Sequence, residues 1–262
     1  MSEPIQLFDT HAHLDFPKLH AELQALLERA QEAGVQRIVT IGASDGLGSN
    51  KRALEIAKEY DHIRCSTGIH PHEADACNDE IFQTIVDNFA THKQVVAIGE
   101  TGLDYYYDNA PREVQRQVFE RFLSLASDLD KPVIIHSRDA EEDTIELLRD
   151  SGHQKGIIHC FSGSSDFADA ALELGYHISF SGIATFNSGS DILDIAADVP
   201  EDRLLIETDA PFLAPDPKRG DTNEPAYVRH TAKAIADARG ITLPELSQIT
   251  FKNACKLYDW PA

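Results

Sequence analysis

Residue types that hold divalent cations recur along this chain where short apolar runs stop. His11 and His13 follow the first run, Glu100 ends the fourth and His136 the fifth; His159 lies near the end of the sixth and Asp209 just beyond the eighth. Neutral imidazole and carboxylate oxygen suit zinc, manganese, magnesium and similar ions. Two residues of one parity on an extended segment point to the same side, so both imidazoles of His11-Ala12-His13 can reach one ion. Alone, that pattern is weak, because two surface histidines produce it as readily. Five or six such residues at strand ends are poorly explained by satisfied core histidines, and a metal site accounts for them together.

The set is too large for one tetrahedral ion, which uses about four ligands. In a two-metal arrangement His11, His13 and Asp209 hold one ion and His136 and His159 the other. Glu100 bridges them, since a carboxylate offers two oxygens. Water shared by two such ions would become a hydroxide nucleophile near neutral pH, with Asp209 placed to orient it and take its proton. These ligand types suit several divalent ions, Zn2+, Mn2+ and Mg2+ among them.

The elements that must position these residues are eight apolar runs, at 5–9, 37–41, 63–68, 95–100, 133–136, 156–160, 177–181 and 204–207. They are short, rich in Ile, Val and Leu, and without clean alternation, as in parallel strands covered on both faces. Helical patterns separate them. Leu19, Leu23, Leu26, Ala30 and Ala33 follow a spacing of three or four before Gly34; Val114, Val118, Phe122 and Leu125 form a stripe within 111–129; Thr242-Leu243-Pro244-Glu245 opens a helix to 258 with a capping box. This rhythm predicts an α/β fold, a (β/α)8 TIM barrel forming one domain over 1–262, with a doubly wound open sheet as the alternative. In a barrel the strand ends converge on the face where such enzymes do chemistry.

The chain has 262 residues, 42% of them hydrophobic, enough for a large core. Its 23 Lys and Arg against 44 Asp and Glu give a net charge of -21. That excludes nucleic-acid binding through a broad basic surface and suits attraction of cations to a carboxylate-lined site. Two divalent ions would only raise the charge to about -17, so a polyanionic substrate must be held locally. Cys65, Cys77, Cys160 and Cys255 are scattered without a CxxC pair, which points to a reducing compartment. With no signal-like start and no apolar run long enough to span a bilayer, a cytoplasmic protein without membrane association is expected.

Across nearly its whole length the chain resembles TatD-family metal-dependent deoxyribonucleases, within the amidohydrolase-like barrels. The resemblance is carried by Phe8-Asp9-Thr10-His11-Ala12-His13, Thr67-Gly68-Ile69-His70-Pro71-His72, Ile98-Gly99-Glu100-Thr101-Gly102-Leu103-Asp104-Tyr105, Ile135-His136-Ser137-Arg138, Ile158-His159-Cys160-Phe161-Ser162-Gly163 and Glu207-Thr208-Asp209-Ala210-Pro211. It implies that His11, His13, Glu100, His136, His159 and Asp209 are metal ligands, that two divalent ions are bound, and that the substrate is DNA, trimmed from single-stranded ends without an obligate protein partner. The residues themselves argue for metal-assisted hydrolysis; DNA comes from the resemblance alone. Hydrolysis of a carbonyl ester, amide or lactone, including aminoacyl-tRNA deacylation, is the alternative, and a non-catalytic metal-binding protein a third reading.

Other residues join the candidate site. His72 stands in a Gly-x-His-Pro-His stretch, placed to contact a phosphate or protonate a leaving oxygen, although a loop histidine would read the same; for His70 a structural hydrogen bond is an equal reading. Glu207, two before Asp209, could touch a metal, orient a ligand or hold a water. Arg138 could bind phosphate through its planar fork or pair with Asp139 or Glu141. Tyr105, with Tyr106 and Tyr107, offers rings on which bases could stack or that simply pack the loop. Asn223-Glu224-Pro225 reads as a structural loop with a helix following Pro225. Two departures from the family pattern stand out: Asp221-Thr222 replaces basic residues before Asn223, and Phe122 stands where glutamine is common.

Overall fold

The computed structural model describes residues 5–261. Its principal strands are β1 (Leu7–Ala12), β2 (Val35–Thr40), β3 (Ile63–Thr67), β4 (Val95–Asp104), β5 (Val133–Arg138), β6 (Gly156–Ile158), β7 (His177–Phe180) and β8 (Leu204–Ile206). They coincide with the eight apolar runs, and helices occupy the intervals. Among the described residues no helix is long and apolar enough to cross a membrane. Two compact units divide the chain. One holds the chain up to Thr40, Cys160–Ser162 and the part from Ile178 onward; the other holds Ile41–His159 and Gly163–His177.

In the first unit β1 pairs with β2 and β7 with β8, both in parallel. All six residues of β1 are buried. Phe8 is enclosed by aromatic rings: Phe251, Tyr258 and Trp260 lie 5.9, 5.8 and 5.5 Å from it. The helix Leu243–Leu257 that supplies Phe251 begins with the expected capping box, Thr242 and Glu245 satisfying each other's backbone amides. The spacing that starts at Leu19 is interrupted, giving helices Pro17–His20 and Leu23–Ala33, because Glu22 leaves the helical region at φ -124°, ψ 23°. Gly34 ends the second of these at φ +98°, as a left-handed C-cap.

In the second unit β3, β4, β5 and β6 pair in sequence order, all parallel. The expected end of β4 at Glu100 is a bulge; the strand runs on to Asp104 after an irregularity between Ile98 and Thr101. Two glycines let the strand continue past that point. Gly99 and Gly102 sit at φ +124° and +138°, where a Cβ would meet Ile134 O at 2.5 Å and His136 O at 2.1 Å. Their missing side chains let β4 lie against β5 while it kinks. Glu100 is therefore a mid-strand residue, and β4 delivers a second carboxylate, Asp104, beyond it.

The helix Arg112–Asp128 covers this sheet with Val118, Phe119, Phe122, Leu123 and Ala126. Phe122, the departure from the family pattern, is fully buried and packs edge-on to Phe82 with ring centroids 5.2 Å apart. An aromatic pair here replaces whatever hydrogen bonds a glutamine would make.

Candidate metal centre

Each unit carries its own cluster of ligand-type atoms. In the first, His11, His13 and Asp209 come together, all buried. β1 extends to Ala12, so His11 lies within the strand and His13 just past it. The two Nε2 atoms are 3.3 Å apart, and lie 3.6 and 3.4 Å from Asp209 Oδ1. Two imidazole nitrogens and a carboxylate oxygen so close, and so poor in water, suit a shared cation.

Asp209 reaches that position because its loop is fastened on both sides. Its own amide donates to His11 O at 2.9 Å, and His13 N donates to Ala210 O at 2.7 Å. The residue adopts φ +57°, a region aspartate tolerates better than most. Asn223 Nδ2 donates to Thr208 O at 2.8 Å and to Phe212 O at 2.6 Å, bracketing Asp209. Glu224 in turn receives Arg29 Nε at 3.0 Å. The Asn223-Glu224-Pro225 loop thus has the structural part expected of it, and helix Val228–Ala238 follows.

Behind the cluster lies Asp9, for which the sequence offered no role. It is fully buried and accepts from Thr208 N at 2.9 Å and Thr208 Oγ1 at 2.6 Å. Burial pushes its carboxyl up to about 8, against the pull of the Thr208 bonds. Glu207 is also buried and accepts from Cys160 N at 2.7 Å. It thereby props the turn after β6, where Cys160 stands at φ +46°.

In the second unit nitrogens converge on one oxygen. Glu100 Oε1 lies 2.7 Å from His159 Nε2, 3.0 Å from His136 Nδ1 and 3.5 Å from His70 Nε2. Glu100 is only 2% exposed. The tautomers follow from the outer contacts. His136 Nε2 faces Asp104 Oδ2 at 3.0 Å; a carboxylate only accepts, so Nε2 carries the proton. His136 Nδ1 is then turned toward Glu100 and, at 3.3 Å, toward His159 Nε2; freed of its proton, it would offer its lone pair to a cation there. Two imidazole nitrogens and a carboxylate oxygen gathered this closely form a donor set that fits a divalent ion. His70 differs: its Nδ1 accepts from His72 N at 3.1 Å, leaving Nε2–H directed at Glu100, so it orients the carboxylate and is no lone-pair donor there.

Asp104 is the residue that sequence reasoning passed over. Its Oδ2 also receives His72 Nε2 at 2.9 Å. Burial raises its carboxyl, yet the bonds from His136, Tyr107 and His72 outweigh that and hold it well below the usual range. For His136, burial works against the imidazolium, and the bonds to Asp104 and Glu100 overcome it and raise its pKa. Gln115 fixes Asp104 from beneath: Oε1 accepts Asp104 N at 2.8 Å, and Nε2 donates to Asp104 O at 3.2 Å and Ala110 O at 2.8 Å. A polar residue on the buried stripe of the helix 111–129 was the available signal.

Tyr105 and Arg138 fall beside this cluster in different states. The Tyr105 hydroxyl donates to Asp143 at 2.6 Å, and its ring lies under Arg112, 4.3 Å away. Arg138 pairs with neither Asp139 nor Glu141; its guanidinium lies 4.1 Å over the ring of Tyr106.

Histidine and carboxylate clusters at the ends of parallel strands define a metal-dependent hydrolase. The chain belongs to the family described as TatD related DNase, whose sequence profile matches residues 8–259. It is 41% identical over 254 residues to YabD of Bacillus subtilis, an uncharacterized metal-dependent hydrolase, with 96% of this chain and 98% of that protein covered. With the 3'-5' ssDNA/RNA exonuclease TatD of Pectobacterium parmentieri it shares 34% identity over 260 residues, covering 96% and 99%. The crystal structure of YJJV, a TatD homolog from Escherichia coli K12, superposes with a TM-score of 0.90 at 30% identity, covering 99% of this chain and all of that one. The fold class is accordingly the eight-stranded (β/α)8 barrel.

Proposed function

We propose that this protein hydrolyses DNA phosphodiester bonds, trimming single strands from an end, with a divalent cation held at each cluster. The observation that carries the reading is the convergence of His136 Nδ1 and His159 Nε2 on Glu100 Oε1 at 3.0 and 2.7 Å, ligand-type atoms gathered where a cation would fit. The family description and the exonuclease activity in the name of the Pectobacterium relative support DNA as substrate. Mg2+ or Mn2+ suits the donor set, as does Zn2+.

A divalent ion bound there would polarise a phosphoryl oxygen and make water acidic enough to attack. The chain's own groups do the rest. His11, His13 and Asp209 would hold one ion, His136 and His159 the other. Glu100, expected from the sequence to be shared by the ions, would lend its carboxylate to the ion of its own cluster. Asp209 receives the proton of the attacking water. His72, steadied by Asp104, is placed to give a proton to the departing oxygen. Glu207 positions the His159 turn through Cys160. The scattered spacing of the four cysteines, without a CxxC pair, suits the reducing, cytoplasmic setting expected from the sequence.

The test follows digestion of end-labelled single-stranded DNA with Mg2+, Mn2+ or EDTA, for wild type and a folded Glu100→Ala variant. Stepwise shortening that needs metal and is lost in the variant is expected. If the metal-loaded wild type leaves DNA intact, the substrate assignment fails, and acyl esters, to which the charge of -21 is better suited, take its place.

A further inference from the structure

Resting on the nuclease reading, we infer that Tyr106, Tyr107 and Arg138 form a landing platform for the unpaired end of a nucleic-acid strand, the rings taking bases and the guanidinium a phosphate. Among the described residues the exposed large hydrophobic side chains are Tyr106, Tyr107 and Phe212, and the two tyrosines are 58% and 55% exposed. Adjacent aromatic side chains left this open mark a contact surface more often than a packing accident. Their rings meet edge to face at 4.9 Å and 87°, so two faces of different orientation are presented.

Arg138 adds the charge. It is exposed, with its guanidinium 4.1 Å over Tyr106 and 5.1 Å from the ring of Tyr107, and it makes no ion pair among the described residues. In a chain carrying 44 acidic residues against 23 basic ones that is notable. In the same unit Arg52, Arg116 and Arg121 are paired with Asp45, Asp143 and Asp79. An arginine seated over a ring by cation–π contact, without a carboxylate partner, has donors to spare for a phosphate.

The platform is tied to the cation cluster by one carboxylate. Asp104 Oδ1 accepts the amides of Tyr106 at 3.1 Å and Tyr107 at 2.9 Å, while Oδ2 holds His72 and His136. The Tyr107 ring is 5.3 Å from His72, whose ring is 6.3 Å from His136. One histidine thus separates the Tyr107 ring from a cluster imidazole. Tyr105 has no part in this, since its hydroxyl is bonded to Asp143 and its ring lies under Arg112. Bases inside a duplex are already stacked on one another, so the platform selects single strands.

The test measures binding of phosphorothioate oligonucleotides to the Mg2+-loaded protein by fluorescence anisotropy, comparing a thymine strand with an abasic strand of equal length. Wild type should bind the base-bearing strand about ten-fold more tightly. Tyr106→Ala with Tyr107→Ala should abolish that preference, and the paired Phe substitutions should keep it. Arg138→Gln should weaken both strands and flatten the salt dependence. Equal affinity of wild type for the two strands, or a preference that survives the double alanine change, overturns the platform. Cleavage of end-labelled natural DNA, run in parallel, separates the two readings. Cleavage without base preference removes the platform and leaves the nuclease standing; base preference without cleavage does the reverse.

Discussion

Asp104 Oδ2 stands 3.0 Å from His136 Nε2 and so decides which nitrogen of that imidazole faces Glu100. A carboxylate behind a ligating histidine fixes its tautomer and ring angle and raises its basicity, and loss of such a partner typically costs about 10–100-fold in metal affinity or activity. Asp104→Asn should therefore weaken Mn2+ binding by about 10–100-fold in a calorimetric titration. An unchanged affinity would show that His136 needs no such support.

The hinge of β4 makes a sharper demand. Gly102 sits at φ +138° with His136 O only 2.1 Å from where a Cβ would be, whereas Gly240, at φ +67°, has nothing within 4 Å. Gly102→Ala should lose at least about 2 kcal/mol of stability, from strained backbone and displaced β5. Gly240→Ala should lose about 1 kcal/mol. Urea denaturation of the two variants side by side checks the ranking.

Phe122 gives a test against the family pattern. Phe122→Gln installs the commoner residue, but in this chain the side chain is fully buried against Phe82. Lost apolar burial and an amide without arranged partners should lower stability by about 2–4 kcal/mol, read from the denaturant midpoint. A neutral outcome would mean that the surrounding helix can satisfy the amide.

A pH dependence follows from Tyr105 and Asp143. Burial first, and then the bond to Asp143, push the Tyr105 hydroxyl up to about 12. The Tyr105 bond, with Arg116 beside it, holds Asp143 below its usual value. A raised acid stabilises the fold below its unfolded pKa of about 10 and loses that stabilisation as pH climbs through about 12. A depressed carboxyl stabilises above about 3.9 and loses it as pH falls further. Tyr105→Phe should cost about 1 kcal/mol at neutral pH, the modest figure for a bond open to solvent. The gap from wild type should narrow at both extremes, as chemical denaturation across pH would show.

Much of this was legible in the residues. Eight apolar runs became eight strands because buried parallel strands carry their own compositional mark, and the Thr242–Glu245 box and Gly34 cap needed only local rules. The reading slipped where a local rule met a long-range constraint. The apolar run stops at Glu100; that Gly99 and Gly102 let β4 kink and run on to Asp104 shows only once the approach of β5 is known. Asp104 and Gln115 are 11 residues apart, and their joint role depends on a helix folding back over the strand. His70 and His136 have the same side chain, and only their outer partners, His72 N and Asp104, separate an orienting imidazole from one offering a lone pair.

The grip of Asn223 on Thr208 and Phe212 reaches beyond stability. The loop carrying Asp209 is held by peptide amides and one side-chain amide, bonds in which no cation takes part. A socket built that way needs no ion to give it shape, so one ion can leave and another enter without the walls being rebuilt. The geometry of the site is then set before any cation arrives, and the walls, more than the ion, decide what size of cation they will take.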